Sequence, residues 1–297
     1  MEENKIKYNK IFMDKRKYKN NDYLSIIGLG GISIKGLGYK KSSNIISYSV
    51  DNGINYFDVA PGYGDAQDLM GRGLRKYRKK IFLACKTKYR DFKESRKDLE
   101  NSLKLLHTDY IDLYQLHGMK SDEDFEKITS NQGAMKTLIE AKESGLVKYL
   151  GFSCHSIPIA KKLIEFYDFD SILFPVNWGL LLKNEFGNEI LDLCNKKNIT
   201  VLALKSMADR QWYSDEIKTY PNCWYKPITD TNLMDLSIKF TLSKNVTSLL
   251  PPGDEVLFKK SVELAKNYKK LTSLEKNFLY KLSLSSNPIG NKEEIYI

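Results

Sequence analysis

The sequence predicts an α/β chain folded as a single (β/α)8 (TIM) barrel, and three observations predict it. Eight short apolar runs alternate with amphipathic stretches along 297 residues, the pattern of strands returned to one parallel sheet by right-handed crossovers. That length suits one closed barrel. No Pro-, Gly- or Ser-rich linker divides the chain, and it holds no internal repeat beyond the βα unit.

The first strand is expected at 24–28, following a lysine-rich polar segment, residues 1–22, that reads as an arm or the start of a hairpin ahead of a barrel body at 23–297. An amphipathic stretch at 43–52 then leads to a strand at 55–59. Gly53 is placed to end that helix in the left-handed conformation that glycine adopts cheaply. A helix at 65–76 separates this strand from 81–86, a helix at 94–106 leads to 110–115, and a helix at 132–143, closed by Gly145, leads to 147–151. The remaining units pair 156–166 with 171–175, 185–197 with 199–204, and 231–243, capped by Asp230 or Thr231, with 247–250. A last helix is expected at 254–268. Residues 207–230 stand outside the repeat as a long connection carrying Trp212, Tyr213, Tyr220, Trp224 and Tyr225. Loops this long within a compact domain often serve as lids or binding loops.

Composition narrows the function classes. A formal charge of +10 is spread among interleaved acids, as along 91–104, so it reads as solvated surface and no nucleic-acid partner is expected. No apolar run is long enough to cross a bilayer. The opening MEENKIKYNK is polar and lacks the apolar segment of a secretion signal. Cys85, Cys154, Cys194 and Cys223 are widely spaced, which fits free thiols in a reducing compartment and no metal site. The expected location is the cytoplasm.

Asp58 and Lys86 lie at the carboxyl ends of predicted strands, and Tyr63 and His117 follow closely on such strands. Chemistry in such barrels gathers at the carboxyl ends of the strands, where the loops share one rim. A phenol, an ammonium, a carboxylate and an imidazole meeting there suggest proton transfer. Taken singly, Tyr63 reads as an aromatic loop plug, His117 as a structural histidine, and Asp58 with Lys86 as a rim ion pair; their coincidence favours a site. His107 falls in a helix-to-strand turn at the far end and reads as surface. His155 lies at the mouth, where it touches a ligand or caps a loop. Cys85 should face away from Lys86 because side chains alternate along a strand, and Asp112 reads as structural.

The stretches NYFDVAPGYGDAQDLMG, IFLACKT and DYIDLYQLHG, with IIGLGG, KYLGFSCHS and VTSLLPPGDE in order around them, resemble the aldo-keto reductase family over residues 24 to 270. The resemblance implies reduction of a small aldehyde or ketone. Tyr63 would be the general acid, Lys86 and Asp58 its tuning pair, and His117 the orienting or relay group. Such chemistry needs a hydride carrier, and the resemblance implies NADPH, with NADH as the competitor. Gly28-Leu29-Gly30-Gly31 lacks the spacing of a Rossmann fingerprint.

Ser153 matches the family's serine beside the nicotinamide carboxamide, and Leu204 or Lys205 occupies the place of its stacking tyrosine. Cys154 and Leu173 also depart from the family pattern, standing where asparagine and glutamine are common. Pro252-Gly253-Asp254 opens a helix whose N–H groups would receive pyrophosphate, and Lys259 and Lys260 would reach the 2′-phosphate. An alternative within the same fold is a noncatalytic NADP(H)-binding redox sensor or regulatory subunit, since fold alone does not decide function.

Overall fold

The computed structural model describes residues 13–296. Eight parallel strands form one sheet: β1 (Leu29–Gly30), β2 (Tyr56–Asp58), β3 (Phe82–Thr87), β4 (Ile111–Met119), β5 (Val147–Cys154), β6 (Ser171–Pro175), β7 (Thr200–Leu204) and β8 (Val246–Leu249), hydrogen-bonded in that order. The sheet curls until its ends meet. Ile27 bridges Leu249 in parallel, Gly28 N–H donates to the Leu249 carbonyl at 2.9 Å, and Leu249 N–H donates to the Ile26 carbonyl at 3.0 Å. This is the (β/α)8 barrel that the alternation predicts.

Strand alternation sorts the core into two layers. Tyr56, Phe82, Ala84, Leu113, Tyr149 and Leu202 pack inside the barrel, whereas their neighbours Phe57, Leu83, Cys85, Tyr114, Leu150 and Val201 pack in the layer shared with the helices. Cys85 therefore faces away from Lys86, as expected. Asp112 is structural too, taking the Leu83 N–H at 2.9 Å and an ion pair from Arg78 at 2.8 Å.

The strand expected at 24–28 divides in two. Tyr23–Ser25 pairs antiparallel with Lys15–Lys17, and only the residues after it join the barrel. The reason is the open lower end of the barrel. Tyr18, carried by this hairpin, lies edge-on to Phe82 at 4.9 Å and Tyr149 at 5.1 Å, and its hydroxyl donates to Ser171 Oγ at 2.8 Å. Ser25 N–H is then satisfied by the Asn55 side chain at 2.7 Å. The first twelve residues of the expected arm lie outside the described residues.

The expected helices are present, with Gly53 (φ 83°) and Gly145 (φ 75°) in the left-handed region after two of them. Asp230, and not Thr231, caps Thr231–Ser243 by accepting from Leu233 N–H. Three further helices escape the periodic reading. Asp122–Thr129 buries only Ile128, Trp178–Lys183 is under two turns, and Ser273–Ser285 buries only Leu279 and Ser283. The first and third carry too few buried positions, and the second, although mostly buried, is too short, to print a period in the sequence. The connection expected at 207–230 contains a hairpin, Ala208–Gln211 against Tyr225–Pro227. Among the described residues, no helix is long and apolar enough to cross a membrane, and no cluster of His, Cys, Asp and Glu could hold a metal ion.

Candidate active site

Asp58 closes β2, Lys86 lies near the end of β3, and His117 near the end of β4. Register does the rest: Asp58 sits opposite Ala84 and Lys86 opposite Gln115 on adjacent parallel strands. Tyr63 follows β2 in the turn Ala60–Tyr63, held by its own N–H donating to the Ala60 carbonyl at 3.1 Å. All four line one cavity of about 580 Å³ at the carboxyl ends of the strands.

Asp58 and Lys86 form an ion pair, their side chains 2% and 1% exposed. Burying two charges is favourable only when their remaining polar atoms are also satisfied. Asp58 Oδ2 accepts from the Tyr56 hydroxyl at 3.3 Å and from Gln115 Nε2 at 3.2 Å, and Lys86 Nζ also donates to the Val59 carbonyl at 3.4 Å. Burial acts to lower the Lys86 pKa, but the Asp58 carboxylate, with help from Tyr63, outweighs it and holds the ammonium above its ordinary value. Gln115 joins the site unforecast, although its place two residues before His117 on the same strand gives it the same inward direction.

Tyr63 is half-buried against three partners. Its ring centre is 5.8 Å from Lys86 Nζ, 5.9 Å from the His117 ring, which stands nearly perpendicular, and 6.3 Å from Trp224. Burial raises the phenol pKa, and the Lys86 charge works against that rise. His117 is pushed down to about 3, by burial first and then by the charges of Lys86, Arg90 and Lys88. It is therefore a neutral imidazole at physiological pH. Arg90 fixes the strand end behind it, donating to the His117 carbonyl at 2.9 Å and the Gly118 carbonyl at 3.3 Å while paired with Asp124.

Ser153, Lys205 and Gly253 border the same cavity. Ser153 Oγ accepts from Gly118 N–H at 2.7 Å, tying β5 to the end of β4 beside His117. A Cβ on Gly253 would come within 2.9 Å of Ile32 and 3.0 Å of the Asn222 carbonyl, so this stretch of backbone admits no side chain without a shift. The N–H groups of the following helix are not free as expected: Asp254 caps it, taking Val256 N–H at 2.9 Å and Leu257 N–H at 3.0 Å.

Lys259 and Lys260 do not border the mouth cavity. They line a separate depression with Thr231 and Leu264, Lys259 paired with Glu255 at 2.7 Å and Lys260 donating to Thr231 Oγ1 at 3.3 Å. His107 is exposed, as read from sequence, with Asp68 3.8 Å away.

Other residues at the mouth carry no chemical signature in sequence. Leu173, Leu204 and Leu250 supply apolar surface, and Trp224 and Tyr225 of the long connection reach it. The C-terminal tail contributes Glu294 and Ile295, held by Ile295 N–H donating to the His155 carbonyl at 3.1 Å. No periodicity could have placed that tail.

A family model described as the aldo/keto reductase family matches residues 26–248. The chain is 27% identical over 251 residues to aldo-keto reductase YhdN of Bacillus subtilis, spanning 74% of this chain and 73% of that protein. It is 28% identical over 205 residues to aldo-keto reductase yakc [NADP(+)] of Schizosaccharomyces pombe, spanning 61% of this chain and 58% of that one. Among solved structures, the holo form of an aldo-keto reductase from Bacillus halodurans superimposes with a TM-score of 0.72 at 22% identity, covering 91% of this chain and 96% of the other.

Proposed function

The chain belongs to the aldo/keto reductase family, and from that premise we propose that it reduces an aldehyde or ketone to an alcohol with a reduced nicotinamide dinucleotide, Tyr63 donating the proton. The observation that carries this reading is the buried Asp58–Lys86 pair beside the Tyr63 ring at the floor of the mouth.

A general acid must hold its proton at working pH and give it up at the moment the alkoxide forms. Burial keeps the Tyr63 phenol protonated; the adjacent ammonium stabilises the phenolate left behind. Asp58 keeps that ammonium charged. His117, neutral, can donate one hydrogen bond to the substrate oxygen and so aim it at Tyr63 without competing as a cation.

The dinucleotide supplies the hydride when bound. The residues present fit such a group: the cavity is roomy, its wall at Gly253 is stripped to backbone, and a buried cation, Lys205, borders it without a protein partner among the described residues. Ser153, Lys205 and Gly253 are the candidates to hold the nicotinamide and pyrophosphate end. Lys259 and Lys260, on their own depression, are the candidates for the 2′-phosphate, which favours NADPH over NADH.

A panel of small aldehydes and ketones assayed with both reduced dinucleotides tests the reading. Carbonyl-dependent loss of reduced-nicotinamide absorbance is the expected result. Tight dinucleotide binding with no turnover of any carbonyl would replace this reading with that of a redox sensor.

A further inference from the structure

Gln115 lies on β4 in the barrel interior, 0% exposed, opposite Lys86 on β3 and Gly151 on β5. Two residues earlier on the same inward face stands Leu113. Another apolar residue of that length would fill the space of Gln115 and leave no polar atom to satisfy. The amide is satisfied only in part: Nε2 donates to Asp58 Oδ2 at 3.2 Å, whereas Oε1 is buried without a hydrogen-bond partner among the described residues. A buried acceptor left unpaired destabilises a fold.

The direction of this amide is forced. A carboxylate only accepts hydrogen bonds, so Nε2 must face Asp58 and Oε1 goes without. What the arrangement secures is the carboxylate. Asp58 Oδ1 takes the Lys86 ammonium, and Oδ2 is held from two sides, by the Tyr56 hydroxyl at 3.3 Å and by Gln115. Tyr56 belongs to the same strand as Asp58, but Gln115 reaches it from β4, across the strand that carries Lys86. A neutral donor suits the place, because a cation there would compete with Lys86 for the same carboxylate.

We propose that Gln115 is a positioning residue for the proton donor: it fixes Asp58 so that the carboxylate holds the Lys86 ammonium beneath the Tyr63 ring. The proposal rests on the reductase reading of the site. The titratable groups acting on Lys86 are Asp58 from β2, Tyr63 from the turn after it and His117 from β4, with Cys85 behind β3. Of these, Asp58 accepts from Gln115. The Lys86 charge opposes the burial-driven rise of the Tyr63 pKa, so an ammonium that drifts from its place leaves the phenol a weaker acid that deprotonates at higher pH.

The test compares wild type with Gln115→Met, which keeps the length and removes the donor, and Gln115→Glu, which donates to Asp58 only while protonated. Each is first shown to be folded by thermal unfolding. Reduction of 4-nitrobenzaldehyde, which has no ionisable group, is followed as kcat/KM against pH, and NADPH affinity is titrated by intrinsic fluorescence. The Tyr63 phenol is titrated by nuclear magnetic resonance on protein labelled with carbon-13 at tyrosine Cζ, its signal identified by its absence from Tyr63→Phe.

In Gln115→Met, kcat/KM should fall by about tenfold or more, a part of the roughly 10²–10⁴-fold that general acid catalysis contributes. NADPH affinity should hold, while the alkaline limb of the rate and the Tyr63 titration both move to higher pH. Gln115→Glu should match wild type at low pH and lose rate as its carboxyl ionises, and it carries the test alone if Gln115→Met does not fold. A Tyr63 titration and an alkaline limb unchanged in Gln115→Met, whatever its rate, overturn the proposal, and so does a loss in Gln115→Glu that is the same at every pH. Because the resonance titration needs no turnover, a protein that reduces no carbonyl yet shows the Tyr63 shift on Gln115→Met would sink the reductase reading and leave the placing of Lys86 by Gln115 standing.

Discussion

The Lys86 ammonium is ion-paired to the Asp58 carboxylate inside the barrel, beneath the Tyr63 ring, with both charged side chains almost closed to solvent. Adjacent strands in fixed register bring them together, so their geometry is set by the sheet and not by mobile loops.

Removing one member of such a pair leaves a buried charge without its counter-ion. Asp58→Asn should therefore destabilise the fold by about 3–5 kcal/mol, measurable as a lower urea midpoint with unchanged slope. A loss below about 1 kcal/mol would mean that water or another acceptor compensates Lys86.

Lys86→Met removes the charge that opposes the burial-driven rise of the Tyr63 pKa. Carbonyl reduction should fall far more than in Lys88→Met, whose charge is only a minor influence on His117. Equal rates for the two variants would detach Lys86 from the proton donor.

Lys205 gives stability a pH dependence whose sign follows from its lowered pKa. Between about 7 and the ordinary lysine value of 10.5, the unfolded chain binds a proton that the folded chain does not, so stability rises with pH across that window. The slope reaches about 1.4 kcal/mol per pH unit at most. Wild type minus Lys205→Met, from urea unfolding at several pH values, should show this slope, with Lys205→Met the more stable variant below pH 7. A flat difference would mean that the amine already has a partner.

Among the described residues, Lys259 pairs with Glu255 and Lys260 donates to Thr231, on a depression of their own. If they receive the 2′-phosphate, replacing both with Ala weakens NADPH binding by about 1.5–3 kcal/mol per lost bond and spares NADH. Parallel changes for both dinucleotides in a fluorescence titration would remove them from the site.

Strand periodicity made the barrel legible, and residue type made Asp58, Tyr63, Lys86 and His117 legible, because ionisable groups beside apolar runs are conspicuous. What stayed hidden depends on tertiary closure. The Tyr18 plug cannot be foreseen from a lysine-rich segment, and the short helix Asp122–Thr129 buries one side chain. The capping of Val256 and Leu257 by Asp254, which occupies N–H groups expected to receive phosphate, depends on one side-chain rotamer. Lys205 stands out in the sequence by its place alone, whereas the lack of a partner for its ammonium among the described residues and its φ of 61° are properties of the folded turn.

The most direct measurement is steady-state carbonyl reduction by Tyr63→Phe beside wild type, with dinucleotide affinity titrated on the same samples. Phenylalanine keeps the ring between His117 and Trp224 and deletes only the hydroxyl that carries the proton. Turnover should drop by about 10²–10⁴-fold while dinucleotide affinity stays within about twofold, a difference under 0.5 kcal/mol. Turnover near the wild-type rate would show that another group protonates the product and that Tyr63 only walls the cavity.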